Sequence, residues 1–354
     1  MLTIDSHLDL AWNALNWNRD LRQTVAEIRT SEAGMTAKAR QKNTVSLPEL
    51  RRGEVFVCLA TVLARANPKG KDPMIDFRTQ EIAYAVAQGQ LAYYKLLEDQ
   101  GLVRMLGDGA ALTQHEVAWA ESPATCPLGF ILAMEGADPI VSPKQAAQWW
   151  EQGLRVVGPA HYGPSAYAHG TASSGGLSPK GRDLLRAMQE LGMILDATHL
   201  AEESFWEALK LFQGTVLASH NNCRALVPGD RQFTDDQIQA LVERDAVIGV
   251  ALDAWMLVAN WEKSQTTHPV VTMENVAAQI DYICQKSGNA QHAAIGSDLD
   301  GGFGTEQSPQ DLDTIVDLQK IPQLLRNRGY REEDIEAIMY GNWLRLFQKA
   351  WAAS

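Results

Sequence analysis

Short apolar runs alternate with longer amphipathic segments along most of this chain. Eight runs have the length of buried strands, at residues 2–6, 54–62, 129–134, 154–159, 193–197, 215–219, 247–251 and 293–297. Segments with helical apolar spacing lie between most of them, including residues 78–100, 235–244 and 273–287. Strands that alternate with helices pair in parallel. The pattern therefore predicts an α/β fold built from strand–helix units.

Two further helices are predicted from residue types at their ends and from apolar spacing. Ser178 followed by Pro179 is typical of a helix start, and that segment runs to Leu191, before Gly192. Residues 332–350 form the last predicted helix, which we expect to pack on the outside of the fold.

Eight strand–helix units are the number that closes a (β/α)8, or TIM-like, barrel. Such a barrel takes about 250 residues, more with insertions, so a single domain over residues 1–354 is expected. Three stretches look like insertions that could cover the barrel mouth: residues 17–53, 64–76 and 255–272. An open doubly wound sheet is the alternative, but it would not explain metal-type ligands on so many strands.

Metal-type ligands recur at or just after the ends of these predicted strands. His7 and Asp9 point to the same side of the first strand, because side chains alternate along an extended chain. Matching positions on later strands hold Glu135, His161, His199, His220 and Asp298. In a parallel barrel the carboxyl ends of the strands meet at one mouth. We therefore expect a metal-dependent hydrolase site there; His115, His169, His268 and His292 are left unassigned.

One catalytic zinc ion takes about three protein ligands. The chain offers six candidates: His7, His199, His220, Asp9, Glu135 and Asp298. Two ions held ~3.5–4 Å apart, with an activated water between them, fit better. Glu135 is the candidate bridging ligand, because it is the only carboxylate at the end of the third strand. Asp298 could take and return a proton; we prefer it to Asp300, which lies farther from the strand.

Charge and composition narrow the classes of partner. The chain has 31 basic and 43 acidic residues, a formal charge of −12, which argues against nucleic acid or an anionic membrane. No apolar run approaches the ~20 residues that span a bilayer. The four scattered cysteines suggest free buried thiols in a reducing compartment. The metal ligands alone leave amide, ester and phosphoester hydrolysis open.

The residues resemble the renal (membrane) dipeptidase family, zinc-dependent peptidases of the amidohydrolase superfamily. The resemblance runs nearly from end to end and rests on the order and spacing of several motifs, at His7/Asp9, 47–53, 135–137, 176–199, 219–225, 230–231, 296–301 and 341–345. It implies a (β/α)8 barrel with two Zn²⁺ ions per chain. One ion would be held by His7, Asp9 and Glu135, and the other by Glu135, His199 and His220.

The resemblance also implies that His161 and Arg231 contact the substrate and that Asp298 is the acid/base. An arginine fork suits a peptide's terminal carboxylate, although a surface salt bridge would be its ordinary role. His161 could polarise the scissile carbonyl oxygen. Residues 162–170 depart from the pattern of the mammalian enzymes, which leaves substrate preference open, and Asp196-Ala197-Thr198-His199 replaces the commoner Asp-Leu-Ser-His.

The predicted function is a zinc dipeptidase that hydrolyses free L-Xaa-L-Xaa or L-Xaa-D-Xaa dipeptides through a metal-bridging hydroxide. N-acyl amino acid deacylation or lactone hydrolysis on the same metals is the alternative, and a non-catalytic metal-binding protein is a remote one. Residues 1–9 already belong to a strand with ligands, and no secretion signal or lipid-anchor tail is recognised. A cytoplasmic enzyme is therefore expected, and the family resemblance implies a homodimer.

Overall fold

The computed structural model describes residues 1–262 and 270–352. All eight predicted strands are present, together with three further short ones among these residues. In chain order the strands are β1 (Thr3–Leu8), β2 (Val55–Leu63), β3 (Arg65–Ala66), β4 (Asp76–Phe77), β5 (Val103–Met105), β6 (Leu128–Glu135), β7 (Leu154–Gly158), β8 (Ile194–Asp196), β9 (Val216–Leu217), β10 (Ile248–Val250) and β11 (Ala293–Ile295).

The strands follow one another around a curled parallel sheet. Their hydrogen-bonded order is β1-β2-β6-β7-β8-β9, and β10 pairs with β11. A parallel bridge between Ala218 and Ile248 joins the two groups, and the Ser6 hydroxyl on β1 donates to the carbonyl of Ile295 on β11 over 3.0 Å. This sequential order around the sheet is that of the predicted TIM-like barrel, and the open doubly wound alternative is wrong.

Helices on the outer face separate most of the barrel strands. They are α1 (Leu10–Asn16), α2 (Val25–Ser31), α3 (Leu47–Arg52), α4 (Gln80–Asp99), α5 (Gly109–Glu121), α6 (Ala146–Glu151), α7 (Pro179–Leu191), α8 (Glu202–Leu211), α9 (Asp235–Glu243), α10 (Ala254–Leu257), α11 (Met273–Ser287), α12 (Ile321–Asn327), α13 (Glu332–Glu336) and α14 (Asn342–Trp351). Three short 3-10 segments occupy Pro143–Gln145, Thr305–Gln307 and Ile315–Lys320.

The predicted start of α7 is confirmed in atomic detail. The Ser178 hydroxyl accepts a hydrogen bond from the Gly181 amide, which satisfies one of the free donors of the first turn. Gly192 ends the helix with a left-handed φ of 78°, a conformation that costs glycine little. Helices α4, α9 and α11 also lie within a residue or two of their predicted limits.

The predicted last helix is interrupted. A π-helical segment, Ala337–Gly341, separates α13 from α14. The segment turns the chain so that Asn342 donates to the carbonyls of Ala290 and Ala293, over 2.7 and 2.9 Å. The π-turn thus attaches the helix to β11, which apolar spacing alone does not reveal.

The described parts of the three predicted insertions contribute to the barrel mouth. Residues 17–53 contain α2 and α3, and residues 64–76 include most of the small β3–β4 pair. Both stretches, with α10 from the third, line the cavity described below. Residues 263–269, including His268, lie outside the described residues.

The strands form the centre of one large apolar cluster, in which residues such as Ile4, Phe130 and Leu195 have no exposed surface. All four cysteines are free and buried, as predicted. Within the described chain, no helix combines the length and apolar character needed to cross a membrane.

Candidate metal centre

The barrel brings most of the predicted ligands to one mouth. His7 lies on β1, and Glu135 is the last residue of β6. Four other predicted site residues each lie three residues past the end of a strand: His161, His199, His220 and Asp298. The strand ends therefore act as a ring of fixed positions from which these side chains converge.

Glu135 is at the centre of this arrangement. Its Oε1 atom lies 3.1 Å from His199 Nε2 and 3.3 Å from His220 Nε2. The same oxygen lies 3.7 Å from Nε2 of both His7 and His161. One carboxylate oxygen thus faces four imidazole nitrogens, the position that a bridging ligand requires.

Other ligand atoms surround His7. Its Nε2 atom is 3.8 Å from Asp9 Oδ2 and 3.7 Å from Asp298 Oδ1. His7 Nε2 and Asp9 Oδ1 are buried, yet neither has a hydrogen-bond partner among the described residues. Buried polar atoms are nearly always satisfied, so these two are suited to a ligand that the protein itself does not supply.

Three overlapping trios of ligand atoms fit a metal ion, each with its atoms within 4.8 Å of one another. They are His7, Asp9 and Glu135; Glu135, His199 and His220; and His7, His220 and Asp298. The first two trios match the two ligand sets that the family resemblance implies, and they share Glu135. Imidazole nitrogens and carboxylate oxygens are a donor set that zinc accepts, so the residues fit the expected group.

The pKa values reflect the crowding of buried groups. Burial disfavours protonation of His7, but the carboxylates of Glu135 and Asp9 outweigh it and raise the His7 pKa to about 10. Burial raises the pKa of Glu135 to about 8, with His7 acting against the shift. Burial also holds the pKa of His161, His199 and His220 well below the usual range. Neutral imidazoles next to carboxylates are the form that binds a cation.

Two of these residues lie in left-handed turns after their strands. His199 and Asp298 have positive φ values of 67° and 57°, as does Asp300 at 63°. Such left-handed conformations are unusual for residues other than glycine and persist where the surrounding structure enforces them.

The structure separates Asp298 from Asp300. Asp298 lines the cavity, its side chain is 16% exposed, and burial among acidic neighbours raises its pKa well above the usual value. Asp300 is instead bound by the protein: it accepts from the Thr44 and Val45 amides, over 2.8 and 3.0 Å. Asp300 therefore fixes a loop, whereas Asp298 has an oxygen directed toward the metal-type ligands.

Arg231 lies in the same cavity and is only 4% exposed. Its guanidinium donates to the Asn221 side-chain oxygen over 2.6 Å and to the His220 carbonyl over 2.8 Å. No carboxylate within the described residues forms an ion pair with it. The alternative of a surface salt bridge is wrong, and a buried cation held by two neutral acceptors is suited to binding an anion.

Several cavity residues were missed by the sequence reasoning. Arg65, two residues past β2, forms an ion pair with Asp76 over 2.6 Å. Its guanidinium also lies 3.3 Å from His161 Nδ1. Asp253 is buried in the cavity wall, with its carboxylate bound by Trp255 and Gln307. Asp253 lies three residues past β10, so the strand-end rule that found the ligands could also have found it.

The cavity has a volume of about 690 Å³. Its walls combine Arg231 and the carboxylates with Trp12 of α1 and with apolar side chains from the insertions, including Trp17, Met74, Ile75, Trp255 and Met256. This size suits a small molecule with charged ends and apolar side chains.

The described histidines that were left unassigned lie away from this centre. His115 Nε2 contacts the Phe56 carbonyl at 2.9 Å, and His292 Nδ1 contacts that of Ala246 at 2.8 Å. The His169 amide donates to the Ser204 hydroxyl over 3.1 Å. These contacts connect segments of the fold.

A family profile described as Membrane dipeptidase (Peptidase family M19) matches residues 1–354. The chain belongs to this family. The predicted family is therefore confirmed, and so is the predicted enzyme class, since its members are metallo-dipeptidases. Metal dependence follows from the same membership.

Individual proteins named as dipeptidases are also similar to this chain in sequence. Dipeptidase tcpJ of Claviceps purpurea (strain 20.1) is 30% identical over 204 residues, which cover 56% of this chain and 45% of that protein. The chain matches about half the length of the curated relatives named as dipeptidases.

Two solved structures share the fold over 99% of both chains. Dipeptidase AC, a metallopeptidase of family M19, has a TM-score of 0.79 at 22% identity. A metallopeptidase from Rhodobacter sphaeroides, liganded with a phosphinate mimic of the dipeptide L-Ala-D-Ala, has a TM-score of 0.78 at 21% identity. These similarities confirm the TIM-like fold predicted from the strand count.

Proposed function

We propose that this protein is a dinuclear zinc dipeptidase. The observation that carries the proposal is the position of Glu135 Oε1, which lies within 3.7 Å of Nε2 of His7, His161, His199 and His220. Arg231 lines the same cavity. A cluster of metal ligands near a buried cation suits hydrolysis of a small molecule that carries a carboxylate.

We assign the two zinc sites to the trios that share Glu135, one with His7 and Asp9 and the other with His199 and His220. When bound, such ions polarise the scissile carbonyl and lower the pKa of a water molecule so that it can attack. The protein supplies the fixed positions of the ligands and an environment from which bulk water is largely excluded.

Three other cavity residues bind the substrate, stabilise the oxyanion and transfer the proton. Arg231 binds the terminal carboxylate of the dipeptide and thereby places the peptide bond over the ligand cluster. His161, held at Nδ1 by contact with Arg65, directs Nε2 into the cluster and stabilises the developing oxyanion. Asp298 accepts a proton from the attacking water and delivers it to the leaving amine.

The proposed substrates are free dipeptides, L-Xaa-L-Xaa or L-Xaa-D-Xaa. The volume of about 690 Å³ is in the usual range for small-ligand sites. The ligand of the Rhodobacter sphaeroides peptidase, a mimic of L-Ala-D-Ala, supports tolerance of a D-residue at the C-terminal position.

A hydrolysis screen tests this function. Zinc-loaded protein would be given L,L and L,D dipeptides, each also as its N-acetyl derivative and as its C-terminal amide. We expect hydrolysis of the free dipeptides and poor hydrolysis of the amides. Preference for N-acyl amino acids would instead indicate a deacylase on the same metals.

Arg231→Ala tests the carboxylate contact directly. A hydrogen bond to a charged group contributes about 1.5–3 kcal/mol, so kcat/KM for a free dipeptide should fall roughly 10- to 150-fold. The C-terminal amide should be far less affected by the substitution. Equal losses for both substrates would mean that Arg231 acts only through the structure of the site.

Three inferences from the sequence stay predictions: a single domain over residues 1–354, a homodimer and a cytoplasmic location.

A further inference from the structure

The two histidines assigned to the second zinc site each have a hydroxyl at the ring nitrogen that faces away from Glu135. Ser219 Oγ lies 2.9 Å from His220 Nδ1. Thr171 Oγ1 lies 3.0 Å from His199 Nδ1. Which ring nitrogen carries the proton depends on where each hydroxyl sends its own and on the other side of the rings, where the two Nε2 atoms lie 3.2 Å apart and face Glu135 Oε1.

The Ser219 hydroxyl has one proton and two further neighbours, a carboxylate and, at 3.4 Å, the Thr198 hydroxyl oxygen. Ser219 Oγ lies 2.5 Å from Asp196 Oδ2, while Asp196 Oδ1 accepts from the amides of Ser219 and Thr198, both over 3.0 Å. The hydroxyl proton is therefore donated to Asp196. The Ser219 oxygen is left as an acceptor, so His220 Nδ1 must carry a proton and donate.

The Thr171 hydroxyl follows the same rule with a neutral partner. Thr171 Oγ1 lies 3.3 Å from the His199 carbonyl oxygen, which can only accept. Thr171 is held in place on both sides, since its amide donates to the His161 carbonyl over 3.0 Å and the next amide, of Ala172, donates to Asp230 over 2.9 Å. With the Thr171 hydroxyl donating to the His199 carbonyl, its oxygen accepts from His199 Nδ1, which is the shorter of the two contacts.

We propose that Ser219 and Thr171 are positioning residues that fix both imidazoles as Nδ1–H tautomers, leaving the Nε2 lone pairs free for zinc. Asp196 acts on His220 through the Ser219 hydroxyl, so His220 is the stronger electron donor of the two. The inference rests on the proposed function, because it assigns a role toward the second zinc ion. Hydrogen-bond partners of this kind typically change metal affinity 10- to 100-fold.

The chain contains a matched control for the Ser219 contact. Ser297 precedes Asp298 as Ser219 precedes His220, and it donates to Asp5 through both its amide, over 2.9 Å, and its hydroxyl, over 2.5 Å. Its hydroxyl accepts from the Leu299 amide over 3.3 Å rather than from an imidazole. Ser297→Ala thus removes the same carboxylate–hydroxyl bond without removing a contact to a histidine ring.

The first measurement is the histidine ring ¹⁵N spectrum of the full-length, metal-free protein. In the unsubstituted protein we expect the His199 and His220 rings to be protonated at Nδ1. Ser219→Ala should change the His220 signals and Thr171→Val those of His199, while Thr171→Ser should restore the His199 pattern. Ser297→Ala should leave both rings unchanged. An Nε2–H tautomer for His220 in the unsubstituted protein would overturn the proposal.

The second measurement is zinc affinity, determined by competition with a chelator. Ser219→Ala should weaken binding of one of the two zinc ions by about 10- to 100-fold, Thr171→Val by less, and Ser297→Ala by less than about threefold. Equal losses for Ser219→Ala and Ser297→Ala would overturn the proposal. Failure of the unsubstituted protein to bind zinc would instead contradict the proposed function.

Discussion

Glu135 is the acidic side chain that the imidazoles of the site surround. Burial raises its pKa to about 8, although His7 and three other imidazoles face its Oε1 atom. A buried carboxylate among buried rings is costly by itself. Cations between these groups would satisfy the carboxylate and the ring lone pairs together, and would account for the convergence of the proposed ligands from four strands.

The two aspartates after β11 should respond differently to loss of charge. Asp298→Asn should leave both metals bound but reduce kcat by roughly 10²–10⁴, the usual contribution of a positioned proton-transfer group. Asp300→Asn should mainly lower the melting temperature, because Asp300 accepts from the Thr44 and Val45 amides. Measuring kcat and thermal unfolding for both variants distinguishes them. A large loss of kcat confined to Asp300→Asn would reverse the assignment.

Among single residues, the sequence predicts the histidines and carboxylates that could bind a metal. Histidines and acids at strand ends are uncommon enough to be noticed, and the barrel brings them together. Asp253 lies three residues past β10, so the same rule could have found it. Arg65, two residues past β2, is of a residue type that is common at any surface. Its role depends on the partners that the fold brings near it, which is a tertiary property.

Single helices show how strongly packing outweighs local preference. Gly181, in the first turn of α7, leaves room for the Tyr167 carbonyl, which would lie 1.9 Å from an added Cβ. Gly89, in the exposed middle of α4, has nothing within 4 Å of that position. Both glycines lie in helices, where alanine is intrinsically preferred.

These two glycines should therefore respond with opposite signs. Gly89→Ala should stabilise the protein by about 0.5–1 kcal/mol. Gly181→Ala should destabilise it by more than that gain, because the backbone of residue 167 or the helix must move. The free energy of unfolding in denaturant measures both changes. A stabilising Gly181→Ala would show that the close approach to Tyr167 does not constrain the helix.

At the scale of elements, the longest and most periodic segments are the most predictable. All eight barrel strands and α4, α7, α9 and α11 follow from apolar spacing and end residues. Strand β5 and the β3–β4 pair contain charged residues and lack the continuous apolar run that marks equally short barrel strands such as β9. The π-turn before α14 depends on the hydrogen bonds from Asn342 to the end of the barrel, which lie far away in sequence.

For the molecule as a whole, the metal centre connects segments that are distant in the chain. Its proposed ligands extend from His7 to His220, so bound ions would cross-link β1, β6 and the loops after β8 and β9. A ligand that binds only the folded state stabilises it by about 2.7 kcal/mol at 100 times its Kd. The folded barrel should therefore be measurably more stable with zinc than without it.

Chelation should accordingly lower the melting temperature of the protein, and added zinc should restore it. Glu135→Gln removes the charge shared by both proposed sites, so its melting temperature should depend much less on the chelator. Differential scanning calorimetry of the two proteins, with and without chelator, checks this. Identical melting temperatures in all four samples would argue against ions that connect the barrel strands.

The central claim is that two zinc ions per chain make this barrel a dipeptidase. The most direct measurement is a zinc titration of metal-free protein in which hydrolysis of L-Ala-D-Ala and of an L,L dipeptide is followed at each addition. We predict that hydrolysis of the dipeptides rises until two equivalents of zinc per chain are bound and then stays constant. Full activity at one equivalent, or no hydrolysis of either dipeptide at two, would contradict it.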